Sequence, residues 1–283
     1  MLSICVLTFN QHQKLLKDCL ESIYAQDIPC EHEILVVDNG ADVPVEVSPL
    51  SIQYRLIRIE KNGGNIFGQN ACFENARGEW VLFVADDVRL KKDCIKKLWD
   101  SKDEKLNVGQ IQPRLWLSNG YIIDNNGGVF LWPGYGFSYT WYDSFSGEPK
   151  GLEQIPPFPF SRKGFVTSTC YLMKKEIFEE IGEFDETLGS SHEDVDMGLR
   201  LRNGGYKLYT NRSANATHLG NQTLKHTLSN HSERFHKSRV MVVKKHYKGI
   251  DKWTRLITIQ LIDNGMSYFR TVFGMMKRIM SSK

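Results

Sequence analysis

The sequence predicts an α/β fold in which a mostly parallel central sheet has helices on both faces. Over the first hundred residues, short apolar strands alternate with helix-like segments, as in a parallel sheet that is covered on both sides. Polar or glycine-rich residues follow four of these strands. Because ligands bind beyond the carboxyl ends of the strands in such sheets, the strand ends predict the position of a site.

The predicted elements follow in chain order. "LSICVLTF" is typical of a strand, and the helix-like segment after it places apolar residues on one face, at Leu16, Cys19, Leu20, Ile23 and Tyr24. Three further strands and two helices complete the alternation. They are the strands "EILVVD", "YRLIRI" and "WVLFVA" and the helices "IFGQNACFENAR" and "KDCIKKLW".

Between residues 119 and 164 the chain is rich in Gly, Pro and aromatic residues. So many large rings would not stay solvated, and we therefore expect this segment to line a cleft. The alternative is ordinary packing of an irregular insertion. Regular elements return with the strand "FVTSTCYLM", helices in "KKEIFEEI" and "HEDVDMGLRLRNGG", and the short strand "YKLY". From about Ser229 the chain is predicted to be helical, and it is basic.

The composition is that of a globular protein of 283 residues, with 41% hydrophobic and 24% charged residues. A net charge of +3 does not indicate nucleic acid binding. The six cysteines form no CxxC pair, and most lie in apolar segments, so we expect reduced core thiols. Met1 precedes a strand-like run instead of a signal peptide, and no run reaches the ~20 apolar residues of a bilayer span, which favours a cytoplasmic location.

Two neighbouring aspartates, Asp86 and Asp87, follow the strand in "VLFVADDVRL". Adjacent carboxylates repel, and no basic residue stands before Arg89. A hard divalent cation, Mg²⁺ or Mn²⁺, would supply the missing positive charge through oxygen ligands. The alternative is that both acids cap the following helix, whose dipole favours negative charge.

Two other strand ends carry candidate ligand-binding residues. "NGGN", which ends at Asn65, permits backbone to approach a ligand at a helix start, where amides attract anions; the alternative is a bare turn. Asp38 would accept a hydrogen bond from a pyrimidine base or bind ribose hydroxyls; the alternative is a loop aspartate that bonds to its own backbone.

The segment "HEDVDMGLRLR" holds three acids within four positions. On a helix, Glu193 and Asp196 share one face while Asp194 points elsewhere, and an acid directed into a cleft would serve as a general base. The alternative is a solvated acidic helix start with Arg200 paired to Asp196. His218, in "THLGN", is a candidate metal or phosphate ligand, although a lone histidine also suits a surface or core position.

The motifs "VLTFN", "ILVVDNGAD", "NGGNIFGQN", "VLFVADDV", "FDETLGSSHEDVDMGLRLRNGGY" and "THLGN" occur in an order that resembles a family 2 glycosyltransferase with the GT-A fold. The rhamnosyltransferase-like branch, which builds cell-surface glycans, is the most similar. The resemblance covers roughly residues 1 to 220. It implies a GT-A catalytic domain over residues 1–225, and the rest, 226–283, is a basic helical extension.

The resemblance also implies roles for the nucleotide site. Asp38 matches the aspartate that recognises the base of a nucleotide-sugar, and Thr8 and Asn10 match its neighbours in the nucleotide pocket. Asp86 would lie near the ribose or sugar. The glycine-rich turn that ends at Asn65 would complete this nucleotide-binding set.

The resemblance further implies an inverting transfer from a UDP- or dTDP-sugar, with Mg²⁺ or Mn²⁺ as cofactor. Asp87 matches the metal ligand that ends the family's DXD-like motif, and His218 matches a histidine that completes the site. Ala85 replaces the first acid of that motif, which leaves strict metal dependence open. Asp194 matches the catalytic base. Contacts to the donor or acceptor sugar are expected from Glu193, Trp132 and Arg200, and rings such as Trp132 would stack on sugar faces in an acceptor cleft.

Of two other functions, the sequence disfavours one and leaves the other open. A sugar nucleotidyltransferase would need a glycine-rich, basic loop after the first strand, and "TFNQHQ" does not provide one. A catalytically silent nucleotide- or carbohydrate-binding module of the same fold stays open because of Ala85.

Apolar and basic residues recur at helical spacing from Asp251 onward, which predicts a helix that lies on a membrane surface near a lipid-linked acceptor. The alternative is packing against the catalytic domain or against a second copy in a homodimer.

Overall fold

The computed structural model describes residues 1–9, 13–41, 45, 53–118, 123–138, 152–154, 164–189, 191–219 and 231–264. Asn10 therefore lies outside the described residues, as do Tyr139, Trp141 and Tyr142 of the aromatic segment. The strands are β1 (Leu2–Thr8), β2 (His32–Asn39), β3 (Arg55–Ile59), β4 (Trp80–Ala85), β5 (Val88–Leu90), β6 (Val108–Leu117), β7 (Ile123–Asn125), β8 (Gly128–Leu131), β9 (Tyr135–Ser138), β10 (Leu152–Gln154), β11 (Gly164–Phe165), β12 (Cys170–Lys174) and β13 (Lys207–His218).

Within the described residues, ten strands form one sheet, in the order β10-β13-β6-β12-β4-β1-β2-β3, with β5 added to β13 and β7 to β6. Strands β1 to β4 pair with one another in parallel, and β12 runs antiparallel to both of its neighbours, β4 and β6. A second sheet contains β11, β8 and β9. The central sheet is thus mixed, with the predicted parallel arrangement at the end that contains β1 to β4.

The helices cover both faces of the central sheet, as predicted. They are α1 (Gln13–Tyr24), α2 (Asn65–Asn75), α3 (Cys94–Asp100), α4 (Lys175–Ile181), α5 (Glu193–Asn203), α6 (His231–His246) and α7, which spans 249–264. Along β1, Leu2, Ile4 and Val6 pack towards α1 and α3, whereas Cys5 and Leu7 pack towards α2, α4 and α5. This alternation buries both faces and explains why the strands are continuously apolar in sequence.

The predicted short strand "YKLY" is the beginning of the 12-residue strand β13. Its second half is polar, so the sequence pattern does not reveal it. Asn211 is buried at an irregularity of the pairing with β6, where its side-chain amide donates to Lys97 O and Ser101 Oγ. These bonds satisfy the polar groups that a strand interior would otherwise bury at a cost, and β13 continues as far as His218.

The basic extension packs against the catalytic region. Val242 and Val243 of α6 and Ile259 of α7 are fully buried in the same hydrophobic cluster as the sheet. Asp196 of α5 is fully buried and accepts hydrogen bonds from Lys245 and His246 of α6, at 3.1 and 2.7 Å. Helices α6 and α7 therefore contribute to the core of the predicted 1–225 domain.

All six cysteines are free thiols, and five of them are buried, as the sequence predicts. Across the described part of the chain, no helix has both the length and the apolar character that a membrane span requires.

Candidate active site

The carboxyl ends of the parallel strands meet at one edge of the central sheet. Thr8 at the end of β1 is in register with Asp38 of β2, and Leu7 is in register with Ala85 of β4. Gly40, just beyond β2, has φ +71° and lies so close to the next loop that a Cβ would be 2.2 Å from the Asn62 nitrogen. The predicted site residues after β1, β2 and β4 therefore share one edge.

Asp86 is fixed against β1. Its Oδ2 accepts a hydrogen bond of 2.6 Å from Thr8 Oγ1, and its backbone N–H donates to Leu7 O. Burial and the neighbouring Asp87 charge raise the pKa of Asp86 to about 7, against the opposing effect of the Thr8 hydrogen bond. The helix-cap alternative is excluded, because β5 intervenes and Asp93 occupies the cap position of α3.

Asp87 lies beside His218 because β5 pairs with the end of β13. Val88 is opposite His218 in this antiparallel pairing, and Leu219 N–H donates to Asp87 O. The His218 Nε2 atom is 3.3 Å from Asp87 Oδ2, and its Nδ1 atom is 2.7 Å from Asp124 Oδ2. Burial alone would lower the pKa of His218, but the two carboxylates outweigh it and raise the pKa to about 10.

Positive charge beside the aspartate pair comes from a protonated His218 and from Arg89, whose guanidinium donates to Asp86 O and pairs with Asp18, both at 3.1 Å. If a divalent cation displaces the Nε2 proton of His218, Asp87 and His218 would offer it one oxygen and one nitrogen donor. Such ions are commonly bound through one or two protein side chains, with water and substrate phosphates completing the shell. Among the described residues, no cluster of three or more His, Cys, Asp or Glu is arranged to hold a metal, and the candidate ligands Asp87 and His218 are a pair.

Asp38 is fully buried, and its carboxylate already has three partners. Oδ1 accepts from Ala41 N–H at 3.0 Å, and Oδ2 accepts from Val45 N–H and from Arg58 at 2.7 Å. The bonds from the Ala41 and Val45 N–H groups agree with the alternative in which Asp38 is a loop aspartate that bonds to nearby backbone. Recognition of a base by Asp38 stays a prediction.

The glycine-rich turn before α2 is held by Asn39, a residue that the sequence pattern did not single out. Its side-chain amide donates to Gly64 O at 2.8 Å and to Asn62 Oδ1, and its own Oδ1 accepts from Gly63 N–H. The sequence feature that could have identified Asn39 is its position next to Asp38 at the end of a strand. Asn39 thereby ties the end of β2 to the start of α2.

The beginnings of α2 and α5 meet at a second acid pair. Asn65 Nδ2 donates to Glu193 Oε1 at 3.2 Å, and Glu193 also accepts a hydrogen bond from the Ser168 side chain. Asp194 follows directly and accepts from Val195 N–H at 2.7 Å. Burial and the adjacent Glu193 charge raise the pKa of Asp194 well above that of an ordinary aspartate, and burial also raises the pKa of Glu193.

The loop between β11 and β12 joins the two acid pairs. Thr169 O accepts from Ala85 N–H at 2.9 Å, immediately before Asp86, and Ser168 bonds Glu193. The sequence pattern did not single out Ser168, because it lies inside the predicted strand "FVTSTCYLM". The twin aspartates and the acids of α5 therefore belong to one edge of the sheet.

Arg200, for which a sugar contact stays a prediction, already has four hydrogen-bond acceptors in the structure. Its guanidinium donates to Asp196 Oδ2 at 2.9 Å and to three backbone carbonyls, those of Ile181, Gly182 and Glu183. This confirms the alternative pairing with Asp196, because the donors of Arg200 are occupied by the α4–α5 connection.

Trp132 lies at the turn between β8 and β9 and is 53% exposed. The same turn is fastened to the extension, since Pro133 O accepts from Arg255 and the Tyr135 hydroxyl donates to Asp263 at 3.1 Å. A contact between Trp132 and an acceptor stays a prediction.

A polar contact that the sequence does not reveal connects the acids of α5 to the extension. Ser238 of α6 lies 2.8 Å from both Ser191 Oγ and His192 Nδ1. His192 has φ 63° and directly precedes Glu193, and its ring packs edge-on against Phe235. Burial lowers the pKa of His192 to about 4, so its imidazole is neutral.

Solved structures of low sequence identity share this fold. The chain superimposes on GalNAc-T7 crystallised with UDP, GalNAc and Mn²⁺, with a TM-score of 0.66, 15% identity and coverage of 86% of this chain and 47% of that one. It also superimposes on TarS of S. aureus, with a TM-score of 0.58, 18% identity and coverage of 92% and 42%. The fold is the GT-A fold that the sequence predicts.

Curated relatives are similar over most of the chain. The O-antigen biosynthesis protein RfbC of Myxococcus xanthus is 25% identical over 210 residues, which cover 72% of this chain and 16% of RfbC. Glycosyltransferase GlyG of Streptococcus pneumoniae is 25% identical over 190 residues, covering 64% of this chain and 59% of GlyG. The chain thus spans only part of these relatives. The model of "Glycosyl transferase family 2" matches residues 3–182, and the chain belongs to that family.

Proposed function

We propose that this protein is an inverting glycosyltransferase that moves a sugar from a UDP- or dTDP-sugar to a hydroxyl of a glycan or lipid-linked acceptor. The acceptor oxygen attacks the anomeric carbon while the bond to the diphosphate breaks, and the nucleoside diphosphate leaves. Asp194 takes the proton of the attacking hydroxyl. Attack from the side opposite the leaving group inverts the anomeric centre, so no enzyme nucleophile is required.

The single observation that carries the proposal is one sheet edge with two unlike acid environments. Asp87 already faces a positive charge on His218, 3.3 Å away, as a ligand of a cation should. Asp194 contacts no cation among the described residues, and its pKa is raised, which makes it a stronger proton acceptor once ionised. Glycosyl transfer needs positive charge at the leaving diphosphate and a base that takes the proton of the acceptor hydroxyl. The environment of Asp87 suits the first need, and that of Asp194 suits the second.

Asp87 and His218 would hold the divalent cation, and Thr8 and Asp86 would lie near the nucleotide. The bound cation supplies positive charge to the leaving diphosphate. A ligand pair that includes an imidazole nitrogen favours Mn²⁺ over Mg²⁺, which prefers oxygen ligands only. The neighbour GalNAc-T7, crystallised with UDP and Mn²⁺, supports this choice.

Release of nucleoside diphosphate from a panel of UDP- and dTDP-sugars tests the proposal. The chain is assayed with Mn²⁺, with Mg²⁺ and with a chelator, in the presence of simple sugar acceptors, and NMR of the product reports the anomeric configuration. We expect turnover with at least one donor, an inverted product and loss of turnover with chelator. A retained anomeric configuration would contradict the mechanism.

A silent nucleotide-binding module is the second candidate, and Ala85 at the position of an acid favours it. This candidate predicts that calorimetry detects donor binding while no donor is consumed, with or without acceptor. Because binding and turnover are measured separately, the two candidates give opposite results in the same samples.

We propose further that the extension rests on an anionic membrane surface, where a lipid-linked acceptor would be found. Residues 226–283 contain twelve Lys and Arg but only three Asp and Glu. Helix α7 buries Ile259 against the core and exposes a second apolar face on its opposite side, formed by Ile250, Trp253, Ile257 and Leu261. An apolar helix face in a basic segment suits the headgroup region of an anionic bilayer.

Vesicle flotation tests the membrane proposal with substitutions in place of truncation, because α7 contributes to the core. The unmodified chain should float with vesicles of phosphatidylglycerol and phosphatidylcholine and not with phosphatidylcholine alone. The double variant Trp253→Ser with Ile257→Ser should float less, since both side chains are exposed. Equal flotation would contradict the proposal, and a dimer in size-exclusion chromatography that the double variant abolishes would assign this face to a second copy.

A further inference from the structure

We propose that Asp124 is a positioning residue that holds the His218 ring so that Nε2 faces Asp87. Asp124 Oδ2 is 2.7 Å from His218 Nδ1, and Asp87 Oδ2 is 3.3 Å from Nε2. The two ring nitrogens lie on opposite sides of an imidazole, so a carboxylate at Nδ1 directs the other nitrogen at a cation. The inference rests on the proposed function, in which Asp87 and His218 are the cation ligands.

Buried amides fix the backbone around Asp124. It lies in β7, whose Asn125 accepts hydrogen bonds from Gln112 Nε2 at 3.3 Å and from Gly127 N–H at 2.6 Å. Gln112 is fully buried in β6, and its Oε1 accepts from Thr167 N–H at 3.1 Å. Asp124 is therefore held by β6, the strand that also pairs with the end of β13 at His218.

Partial solvent exposure leaves the contact of Asp87, His218 and Asp124 accessible to a cation. The side chains of Asp87, His218 and Asp124 are 16%, 21% and 29% exposed, so a cation from solvent can reach them. The carboxylate of Asp196, which does hold two helices together, is completely buried. A histidine that binds a metal commonly donates its other ring N–H to a carboxylate, and removal of that carboxylate lowers metal affinity ~10–100-fold.

Mn²⁺ affinity in the presence of UDP, measured by electron paramagnetic resonance and by calorimetry, tests the proposal without turnover. Asp124→Leu should weaken Mn²⁺ binding ~10–100-fold. Asp124→Asn should weaken it less, because the amide oxygen still accepts from Nδ1. The matched control is Asp263→Asn, since Asp263 accepts from the Nδ1 side of another histidine, His236 in the extension, and its loss should leave Mn²⁺ affinity unchanged.

Nitrogen NMR of the His218 ring in metal-free protein gives a second readout, with the signal identified by its loss in His218→Gln. Asp124→Leu should shift the Nδ1 signal, and Asp263→Asn should not. An unchanged signal, or unchanged Mn²⁺ affinity in Asp124→Leu, would overturn the positioning role. Absence of Mn²⁺ binding by the unmodified chain would instead overturn the cation in the proposed function, which distinguishes the two failures.

Discussion

The first turn of α5 carries two aspartates, Asp194 and Asp196, whose carboxylates lie in opposite electrostatic surroundings. Asp196 accepts hydrogen bonds from His246, Arg200 and Lys245, and although burial opposes them, these partners lower the pKa of Asp196 to about 2. Two residues earlier, Asp194 has Glu193 as its charged neighbour, and its pKa is raised. Acids that are nearly adjacent in sequence thus differ because one side meets cations and the other meets a second acid.

The largest expected effect is the loss of kcat when Asp194 is changed, on the side of α5 where none of the described basic residues faces the carboxylate. Asp194→Asn removes the group that accepts the hydroxyl proton, and a positioned base contributes ~10²–10⁴-fold to the rate. We expect kcat to fall by that factor, as measured by nucleoside diphosphate release, while the affinity for UDP measured by calorimetry stays within about 2-fold. Full rate in the variant would show that another group is the base.

The opposite result is expected for Asp196→Asn. This change leaves Lys245, His246 and Arg200 with a neutral partner in a buried site, and removal of one partner of a buried ion pair costs about 3 kcal/mol or more. Urea denaturation should show a loss of that size in the free energy of unfolding. The control Glu179→Gln, on the exposed face of α4, should unfold like the unmodified chain.

The pH dependence should separate the same two acids. The base must be ionised, so kcat should fall about tenfold per pH unit once the pH drops below the raised pKa of Asp194. Asp196 has a lowered pKa, so its stabilising contribution is complete above about pH 4 and is lost as the pH falls towards about 2. Activity should therefore be lost at a higher pH than the fold, and simultaneous loss would contradict the assignment.

The smallest effect is expected at Ser238 of α6, which contacts Ser191 and His192 just before α5. Ser238→Ala removes the shared partner of Ser191 and His192 and leaves buried polar groups without it. We expect kcat to fall about 2- to 10-fold and the free energy of unfolding to fall by about 1 kcal/mol. Thr254→Ala on α7, which removes an exposed hydroxyl, is the control that should change neither quantity.

The sequence predicts well which strand ends share one edge, because the carboxyl ends of parallel strands meet at the same edge of a sheet. Thr8, Asp86 and Asp87 needed only that rule, and the resemblance added Asp194 and His218. Asp124 was missed because it lies in a segment rich in Gly, Pro and aromatic residues, where no periodicity marks the three-residue strand β7. A side chain on such a strand becomes a candidate only when the pairing with β6 is known.

Arg200 has contacts that the sequence predicts only in part. Its spacing from Asp196 predicted a helical pair, and its position near the acids also suggested a sugar contact. The carbonyl groups of Ile181, Gly182 and Glu183, which occupy the guanidinium, come from a different helix end. No local pattern in the sequence indicates that contact, because it depends on how α4 packs against α5.

The core that α6 and α7 share with the sheet has a practical consequence for gene design. A gene cut short between codons 219 and 231 would encode a protein that lacks the part of the core formed by α6 and α7 and lacks Lys245 and His246, two hydrogen-bond partners of Asp196. An engineer who wishes to fuse, swap or express the glycosyltransferase region must therefore carry α6 and α7 along with it, or replace Asp196 and the newly bared aliphatic surface at the same time.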